Sequence, residues 1–249
     1  MHFTAETSSD GVIERSFTRG DITGALWSPA SGPGRVPLVL LGHGGGQHKR
    51  APGILARARH YVTACGFAAA AIDAPGHGDR PRSEADEQQV AAIRRGREAG
   101  EPLGPAITHY NATLAARAVP EWRATLDALQ DLAEIGPGGP VGYWGMSLGT
   151  AIGVPLTAAE PRIAAAVFGV LGHEFLAEAA AEVTVPVEFL LQWDDELVER
   201  ASGLALFDAF ASAQKTLHAN PGTHLQVPRF ELDCSARFFL RHLSPAAGS

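Results

Sequence analysis

The sequence predicts an α/β fold, in which a mostly parallel sheet is flanked by helices on both faces. Short apolar runs alternate along the chain with longer amphipathic stretches, which is typical of βαβ units joined by right-handed crossovers. Runs such as residues 36–41 are continuously apolar, as expected for strands buried on both faces. The 45% hydrophobic content is ample for a core, and because no internal repeat or low-complexity linker interrupts the 249 residues, we expect one domain over residues 1–249 with an inserted cap.

In the first part of the chain the pattern predicts short strands and one helix. Loose alternation over residues 12–18 and 22–28 indicates an opening hairpin. Apolar residues recur on one helical face over residues 52–65, so a helix is expected there. The alanine-rich run 67–73 favours a helix by propensity. It is short, however, and lies between a glycine and a proline, so we predict a strand.

The second part continues the alternation. Trp122 and three leucines recur at spacings of three and four, which predicts a helix over residues 121–135. The other expected elements are strand 141–144, a helix from Ser147 to about Ala159, strands 163–170 and 185–193, a helix around 204–210, a short strand near 215–218 and a final helix with Phe230, Cys234 and Phe238 on its apolar face.

One long segment interrupts this alternation. Residues 80–119 lie between two predicted elements and are too numerous for a simple loop. The first part of the segment, residues 80–101, is charged and helix-prone, and the second part is apolar with a few polar groups. Because the segment leaves the sheet at the carboxyl edge of a strand, we predict a lid over that edge. A surface excursion without function is the alternative.

Composition excludes several classes of protein. The net charge of −7 is spread thinly, whereas a nucleic-acid partner would require a basic face. No apolar run approaches the roughly 20 residues of a membrane-spanning helix, and the first residues do not resemble a signal peptide. Cys65 and Cys234 are expected to be buried free thiols. We therefore expect a cytoplasmic protein without nucleic-acid or membrane partners, while a homo-oligomer stays open.

The pentapeptide Gly145-Met146-Ser147-Leu148-Gly149 lies between a predicted strand and a predicted helix. A strand-to-helix turn this tight tolerates only small residues two positions before and after its centre. The serine is then exposed at a helix N-terminus, where backbone N–H groups favour developing negative charge. The pattern predicts that Ser147 is a nucleophile, although a glycine-punctuated turn in the core would look the same.

A glycine-rich loop, residues 41–49 (LGHGGGQHK), follows the predicted strand 36–41. The consecutive residues Gly44, Gly45 and Gly46 can present bare backbone N–H groups to a cavity, as an oxyanion hole requires. The backbone N–H of Leu148 is the expected second donor. A flexible loop without a role is the alternative.

Two further strand ends carry the partners that a serine nucleophile needs. The stretch WDDELV, residues 193–198, offers a carboxylate that can orient a histidine; we favour Asp195 over Asp194 and expect the other acid to cap the following helix. His224 lies in a Pro-Gly turn beyond the last strand, where a general base can reach Ser147. Each of these signals is weak alone. Together they predict a catalytic triad, because Ser147, Asp195 and His224 occur in this order along the chain and each follows a separate strand.

Most of the ten histidines are expected to be structural. His60 and His242 fall on helix surfaces, His77 is expected to brace a turn, and His43 to form structural hydrogen bonds. For His173, which follows strand 163–170, a pocket role and a structural role are equally favoured. The residues that we expect around a moderately sized, partly polar ligand are Gly44, Gly46, Met146, His109, Tyr110 and His173.

On these motifs the chain resembles the α/β-hydrolase superfamily, in particular its serine-esterase and dienelactone-hydrolase-like branch. The resemblance spans about residues 36–243 and rests on HGGG at 43–46, DAPGHGD at 73–79, GMSLG at 145–149, DELV at 195–198 and the His224 turn. It implies a sheet of about eight strands with an antiparallel start. It also implies that Ser147 is the nucleophile, His224 the base and Asp195 the acid, with the backbone N–H groups of Leu148 and Gly45 forming the oxyanion hole.

The chain departs from the family pattern in three places. Ser147 stands where one branch has a cysteine, Gln192 stands where a small residue is usual, and the large insertion follows the DAPGHGD strand rather than the sixth strand. The combined prediction is hydrolysis of a small to medium-sized carboxylic ester through an acyl-enzyme. Cleavage of a lactone, thioester, amide or carbamate by the same triad is one alternative, and a non-catalytic binding module is another. No metal or cofactor is expected, because HExxH and a dinucleotide fingerprint are both absent.

Overall fold

A single mixed sheet organises the chain, of which a computed structural model describes residues 1–32 and 34–244; the last part of the predicted domain, 245–249, lies outside this description. The elements within the described residues are β1 (His2–Ser9), β2 (Val12–Arg19), β3 (Ile22–Pro29), β4 (Leu38–Gly42), α1 (Pro52–Cys65), β5 (Ala68–Ile72), α2 (Glu84–Ala99), α3 (Gly104–Gln130), β6 (Val141–Gly145), α4 (Leu148–Ala159), β7 (Ile163–Gly169), α5 (Ala177–Ala181), β8 (Val187–Gln192), α6 (Arg200–Ala209), β9 (Lys215–Asn220) and α7 (Glu231–Leu243).

The strand order is β1-β2-β3-β5-β4-β6-β7-β8-β9. The pairs from β1 to β5 in this order are antiparallel, and those from β5 to β9 are parallel. The predicted fold class and the antiparallel opening hairpin are therefore confirmed. The described sheet has nine strands, against the expected count of about eight, because β1 is added at its edge. This edge strand is almost fully exposed and is held by pairing with β2, so it lacks the buried alternation by which a strand is recognised.

Helices cover the sheet on both faces, as predicted. On one face α1 and α7 pack together, with the rings of Tyr61 and Phe239 edge to face at 5.6 Å. On the other face α3 to α6 bury a second apolar cluster, in which Trp122 meets the fully buried Tyr143 edge to face at 6.3 Å. Burial of both faces accounts for the continuously apolar character of the central strands.

Two predictions about helices require correction. The helix expected over residues 121–135 is the second half of α3, which continues through Pro120 because Leu114, Ala118 and Trp122 share one buried face. The apolar face expected for the final helix is also wrong: Phe230 is 56% exposed, and the buried apolar residues of α7 are instead Ala236, Phe239 and Leu243.

Both cysteines are free thiols, but they are half-buried rather than buried. Each lies at the margin of its helix's buried face, because neighbouring positions on α1 and α7 point more directly at the sheet. Among the described residues, no helix has the length and apolar character needed to cross a bilayer.

The long segment 80–119 is helical through most of its length. A capping box of Ser83 and Asp86 begins α2, and the buried carboxylate of Asp86 accepts hydrogen bonds from the Arg117 guanidinium at 2.8 and 3.1 Å. This ion pair ties α2 to α3. The segment is therefore packed helical structure, with its own buried contacts.

Three glycines allow β4, β6 and α4 to approach one another closely. A Cβ atom on Gly149 would lie 2.4 Å from the carbonyl oxygen of Gly42, and one on Gly145 would lie 2.6 Å from the backbone of Gly149. The conflicting atoms belong to backbone and cannot rotate away. Glycine is therefore required where β6 turns into α4.

We predict that Gly149→Ala lowers the free energy of unfolding by about 2–3 kcal/mol, because the added methyl forces two strands and a helix apart. Gly53→Ala is the matched control, since Gly53 lies on the exposed side of α1 and a Cβ there would meet no described atom within 4 Å. The control should be neutral or stabilising by up to about 1 kcal/mol. Urea denaturation of both variants measures the difference, and equal stabilities would contradict the close approach.

Candidate active site

The turn between β6 and α4 holds Ser147 in an unfavourable backbone conformation. Its φ of 55° lies in the left-handed region, which residues other than glycine rarely adopt. The Ser147 N–H donates to the Gly169 carbonyl at 3.0 Å, and the buried Tyr143 hydroxyl donates to the Gly149 carbonyl at 2.7 Å. Surrounding contacts therefore impose the turn, as is common for strained residues at functional sites.

Thr150 braces the same turn and was missed by sequence reasoning. Its buried hydroxyl lies 2.9 Å from the Gly145 carbonyl and 2.7 Å from the Gly169 carbonyl, and it accepts a hydrogen bond from the Gly169 N–H at 2.9 Å. It thereby connects the ends of β6 and β7 beneath Ser147. A threonine after a GxSxG pattern carries no signal of this role, since its Gly169 partner lies on a different strand, β7.

The fold brings Ser147, His224 and Asp195 into one hydrogen-bonded chain. The His224 Nε2 lies 3.2 Å from the Ser147 Oγ, and its Nδ1 lies 2.8 and 3.1 Å from the carboxylate oxygens of Asp195. A carboxylate at Nδ1 favours the tautomer with the proton on that nitrogen, which leaves Nε2 free to accept from the serine hydroxyl. The three side chains lie beyond β6, β8 and β9, the predicted strand ends.

Of the two neighbouring aspartates, Asp195 is the one that contacts the histidine. Its side chain is 3% exposed and also accepts hydrogen bonds from the N–H groups of Leu197 and Val198 at 2.8 and 3.0 Å. Burial by itself would raise the pKa of Asp195, but hydrogen bonds from His224 and these amides outweigh it, so the pKa is lowered. The carboxylate is therefore charged at neutral pH.

Asp194 does not have the role predicted for the second acid. Instead of capping the following helix, its exposed carboxylate accepts a hydrogen bond from the Gly222 N–H at 3.3 Å. The N-cap residue of α6 is Glu199, which forms no side-chain capping bond. The prediction was wrong because the chain makes a further turn at residues 195–198 before α6 begins.

Two residues that sequence reasoning did not assign hold the loop with His224. The His224 N–H donates to the Glu196 carboxylate at 3.0 Å, and the Gln192 side chain donates to the Thr223 carbonyl at 3.2 Å. Gln192 had stood out as a departure from the family pattern. Its contact gives a reason for the larger side chain, which reaches from the end of β8 to the neighbouring loop.

The glycine loop follows β4 and is anchored by a buried histidine. His43 accepts a hydrogen bond from the Ala74 N–H at 3.0 Å through Nε2, and its Nδ1 lies 2.9 Å from the Gly44 carbonyl. Burial lowers the pKa of His43 to about 4, so the ring is neutral at pH 7. Gly45 is exposed beyond this anchor, and Leu148 begins α4, where a backbone N–H has no intrahelical acceptor.

A buried ion pair fixes the far end of the glycine loop. Asp73, fully buried after β5, accepts hydrogen bonds from the Lys49 backbone N–H at 2.8 Å and from its ammonium at 2.5 Å. Thr23 and the Asp79 N–H complete its shell at 2.8 and 3.1 Å. Burial by itself would raise the pKa of Asp73, but these donors outweigh it, so the pKa is lowered.

The predicted pocket residues lie in different surroundings. A polar cleft of about 330 Å³ opens beside the glycine loop; its lining residues are Gly46, Gln47, Gly76, His77, Gly78, Arg80, Arg82 and Glu87. Gly44 is half-buried in that loop. Met146 and Tyr110 are buried in the two apolar clusters, and His109 is exposed on α3. His173 is exposed and lies 3.1 Å from the Ser202 hydroxyl, and within the described chain neither His109 nor His173 forms a hydrogen bond with Ser147, His224 or Asp195.

No protein-family model matches the chain, and a comparison with curated proteins also gave no match. Among solved structures, the chain is similar to the PEG-bound complex of a cold-adapted esterase from an Arctic intertidal metagenomic library. The two are 35% identical, the match covers 98% of this chain and 100% of that chain, and the TM-score is 0.77. The chain is also similar to the native and the zinc-bound structures of a cold-adapted esterase from an Arctic intertidal metagenomic library. Each is 32% identical, the match covers 98% of this chain and 100% of that chain, and the TM-scores are 0.71 and 0.73.

The chain belongs to the esterase branch of the α/β-hydrolase superfamily. The family resemblance found in the sequence is thus confirmed, and so is the prediction of a carboxylesterase-like hydrolase. In this α/β-hydrolase the Ser147 turn occupies the end of β6, and the glycine loop follows the neighbouring strand β4.

We predict that Asp73→Asn lowers the free energy of unfolding of the hydrolase by about 3 kcal/mol, because it leaves the Lys49 ammonium buried without its main partner. Asp79→Asn is the matched control. Asp79 also contacts Lys49, at 2.6 Å, but its side chain is 74% exposed, so the cost should stay below about 1 kcal/mol. Urea denaturation at pH 7 measures both variants.

The pH dependence provides a second check on the same pair. A lowered pKa in the folded state means that ionised Asp73 contributes stability above its ordinary value of 3.8, and that this contribution is lost as the pH falls through the folded-state pKa. The stability gap between wild type and Asp73→Asn should therefore narrow below pH 3.8. A gap that is constant down to pH 2 would argue against the ion pair.

Proposed function

We propose that this esterase-family hydrolase cleaves a carboxylic ester of a small to medium-sized substrate through an acyl-enzyme on Ser147. The observation that carries the proposal is the hydrogen-bonded chain from the Ser147 Oγ through the His224 ring to the buried Asp195 carboxylate. Membership of the esterase branch supports the reaction class. The residue roles are inferred from the contacts of this chain.

In the proposed first step, the Ser147 Oγ attacks the ester carbonyl carbon while the His224 Nε2 takes the hydroxyl proton. Asp195 holds the ring and stabilises its protonated form. Collapse of the tetrahedral intermediate breaks the bond to the leaving alcohol, which receives the proton from His224. Water then attacks the acyl-enzyme with His224 again as base, and the carboxylic acid and free Ser147 are released.

We assign the oxyanion hole to the backbone N–H groups of Leu148 and Gly45. Leu148 follows the nucleophile directly and begins α4, so its N–H is one of the donors that a helix N-terminus leaves without an intrahelical acceptor. Gly45 lies in the loop anchored by His43 and by the Lys49–Asp73 pair. Donors fixed before the reaction stabilise negative charge without reorganisation, and one such donor contributes typically about 3–4 kcal/mol to the lowering of the barrier.

We assign the substrate entrance to the polar cleft beside the glycine loop. Its lining includes Arg80, Arg82 and Glu87 of segment 80–119, together with Gly46 and Gln47 of the glycine loop. Because residues of the segment and of the glycine loop line the same cleft, we assign residues 80–119 the role of a lid. The polar lining favours an ester whose leaving alcohol or acyl group carries polar atoms.

We predict that Ser147→Ala abolishes labelling by a fluorophosphonate probe and lowers kcat on an activated acetyl ester by about 10⁶-fold, because the attacking oxygen is removed. Ser202→Ala is a stringent control. The Ser202 hydroxyl also contacts a histidine, at 3.1 Å from the His173 Nδ1, and donates to the Glu174 carboxylate at 2.6 Å. Labelling of Ser202 in place of Ser147 would overturn the assignment.

The same pair of proteins tests the reaction class. Wild type is assayed against a panel of esters, lactones, thioesters, amides and carbamates of similar size, with Ser147→Ala as the blank. We expect carboxylic esters to give the highest kcat/KM. If another class of substrate gives a higher kcat/KM and that activity disappears in Ser147→Ala, Ser147 is still the nucleophile but the proposed ester specificity is wrong.

We predict that Asp195→Asn lowers kcat by about 10⁴-fold, because an amide at the His224 Nδ1 favours the wrong tautomer. Asp194→Asn changes the neighbouring residue in the same way, but its carboxylate contacts only the Gly222 N–H among the described residues. It should retain activity within about twofold. Steady-state kinetics measures both variants, and a larger loss in Asp194→Asn would identify Asp194 as the acid.

A further inference from the structure

A second group of reactive side chains lies at the base of the loop that carries His224. His218 belongs to β9, which ends at Asn220, and Glu231 and Cys234 belong to the first turns of α7. Residues 221–230, with His224 among them, connect these two elements. One imidazole nitrogen, one carboxylate oxygen and the Cys234 sulfur lie within 4.8 Å of one another.

The three donor types suit a divalent transition metal. Imidazole, carboxylate and thiolate are the ligands that Zn²⁺ prefers, at about 2.0–2.3 Å in a tetrahedral arrangement, so neighbouring donor atoms lie roughly 3.3–3.7 Å apart. The His218 Nδ1 lies 2.8 Å from the Glu231 Oε2. These two atoms need to separate by only about half an ångström. The sulfur lies within 4.8 Å of both and needs to move only a short distance toward them. Rotation of the half-buried Cys234 side chain can provide that movement.

The neighbours of the three residues are arranged as an outer shell. The Asn220 side chain donates to the second carboxylate oxygen of Glu231 at 2.8 Å, which leaves Oε2 directed at His218. On the other side of the ring, the His218 Nε2 lies 3.8 Å from the Glu188 Oε2. A histidine ligand commonly directs its second nitrogen at a carboxylate, and a ligating carboxylate commonly accepts a further hydrogen bond.

The buried side chain of Glu188 gives independent support for a cation site. Its side chain is only 4% exposed, and its Oε1 has no hydrogen-bond partner among the described residues. Glu231, 1% exposed, adds a second buried carboxylate to the same cluster. Buried carboxylates are unfavourable unless they are paired, and a divalent ion at His218 would offset both charges. Arg237 donates to the Cys234 sulfur at 3.2 Å.

We propose that His218, Glu231 and Cys234 bind one divalent transition-metal ion, with Zn²⁺ as the best fit, and that this ion fastens the two ends of the loop carrying His224. The ion takes the place of the Cys234 thiol proton, which is released to solvent, and binds the His218 Nδ1 while the ring proton lies on Nε2, toward Glu188. The fourth position is open to solvent, because His218 and Cys234 are half-exposed. The metal takes no part in the acyl transfer. Metal binding itself does not depend on the proposed function. Only the effect of the metal on the reaction, through the position of His224, rests on that function.

The test is a titration of chelator-treated protein with Zn²⁺ by calorimetry and with Co²⁺ by absorption spectroscopy. We expect one equivalent of each ion to bind, with a near-ultraviolet thiolate-to-cobalt band that reports ligation by cysteine. Zn²⁺ should also raise the melting temperature, because the ion binds only the folded chain. In Cys234→Ser the cobalt band should vanish, and Zn²⁺ affinity should fall by more than the roughly 10- to 100-fold that loss of an outer-shell partner costs.

Cys65→Ser is the matched control, since Cys65 is the other half-buried thiol and lies on α1. It should bind both ions like wild type. His218→Asn provides a second ligand variant in case Cys234→Ser does not fold, and the melting temperature in chelator establishes that each variant is folded. His224→Ala tests whether zinc binds at His224 instead, because a histidine beside a carboxylate could itself bind zinc.

Three outcomes would overturn the proposal: no stoichiometric binding to wild type, unchanged binding in both Cys234→Ser and His218→Asn, or loss of binding only in His224→Ala. The first two would leave a purely structural network of His218, Glu231 and Asn220. Fluorophosphonate labelling of Ser147 on the same samples is independent of all metal readings, so failure of the metal site and failure of the proposed function give separate results.

Discussion

The close crossing of β4, β6 and α4 is the constraint on which the rest of the site depends. Gly42, Gly145 and Gly149 bring the three backbones close together: a methyl group on Gly145 or Gly149 would collide with main-chain atoms, and one on Gly42 would collide with the Tyr143 hydroxyl. The turn between β6 and α4 is then too tight for relaxed backbone, and Ser147 takes a φ of 55°. Such a conformation costs of order 1–3 kcal/mol. Tyr143 and Thr150 offset that cost with buried hydrogen bonds, and the result is a hydroxyl held at the carboxyl end of the sheet.

Strand order explains why the remaining side chains must come from long loops. β7 and β8 lie between β6 and β9, so His224 has to reach back across two strands to place its Nε2 at 3.2 Å from Ser147. A loop of that reach loses conformational entropy when it is ordered. Contacts from Gln192, Glu196 and Asp195 hold it, and all three belong to the end of β8 or the turn after it. Asp195 and the two other residues that hold the His224 loop thus come from the same short part of the chain.

Much of this could be predicted from the sequence because it depends on local pattern. Each strand end had its own signal, and the carboxyl ends of parallel strands meet at one edge, so Ser147, Asp195 and His224 could be expected to lie together. What escaped prediction depends on partners distant in the chain. The edge strand β1 has no buried face, and Thr150 acts through β7. Lys49 contacts Asp73 because β4 and β5 are neighbours in the sheet, and no spacing in the sequence predicts this ion pair.

Two polar networks, each with a buried carboxylate, lie behind the two loops that the proposed reaction requires. Lys49 and Asp73 anchor the glycine loop, and His218, Glu231 and Asn220 lie at the base of the His224 loop. Apolar residues of similar volume often stabilise a core as well as a buried ion pair does, so stability alone is a weak reason for such groups. Hydrogen bonds between charged groups are directional, whereas apolar contacts tolerate sliding. We interpret both networks as devices that fix loop position, because an oxyanion donor or a general base displaced by 1 Å loses much of its effect.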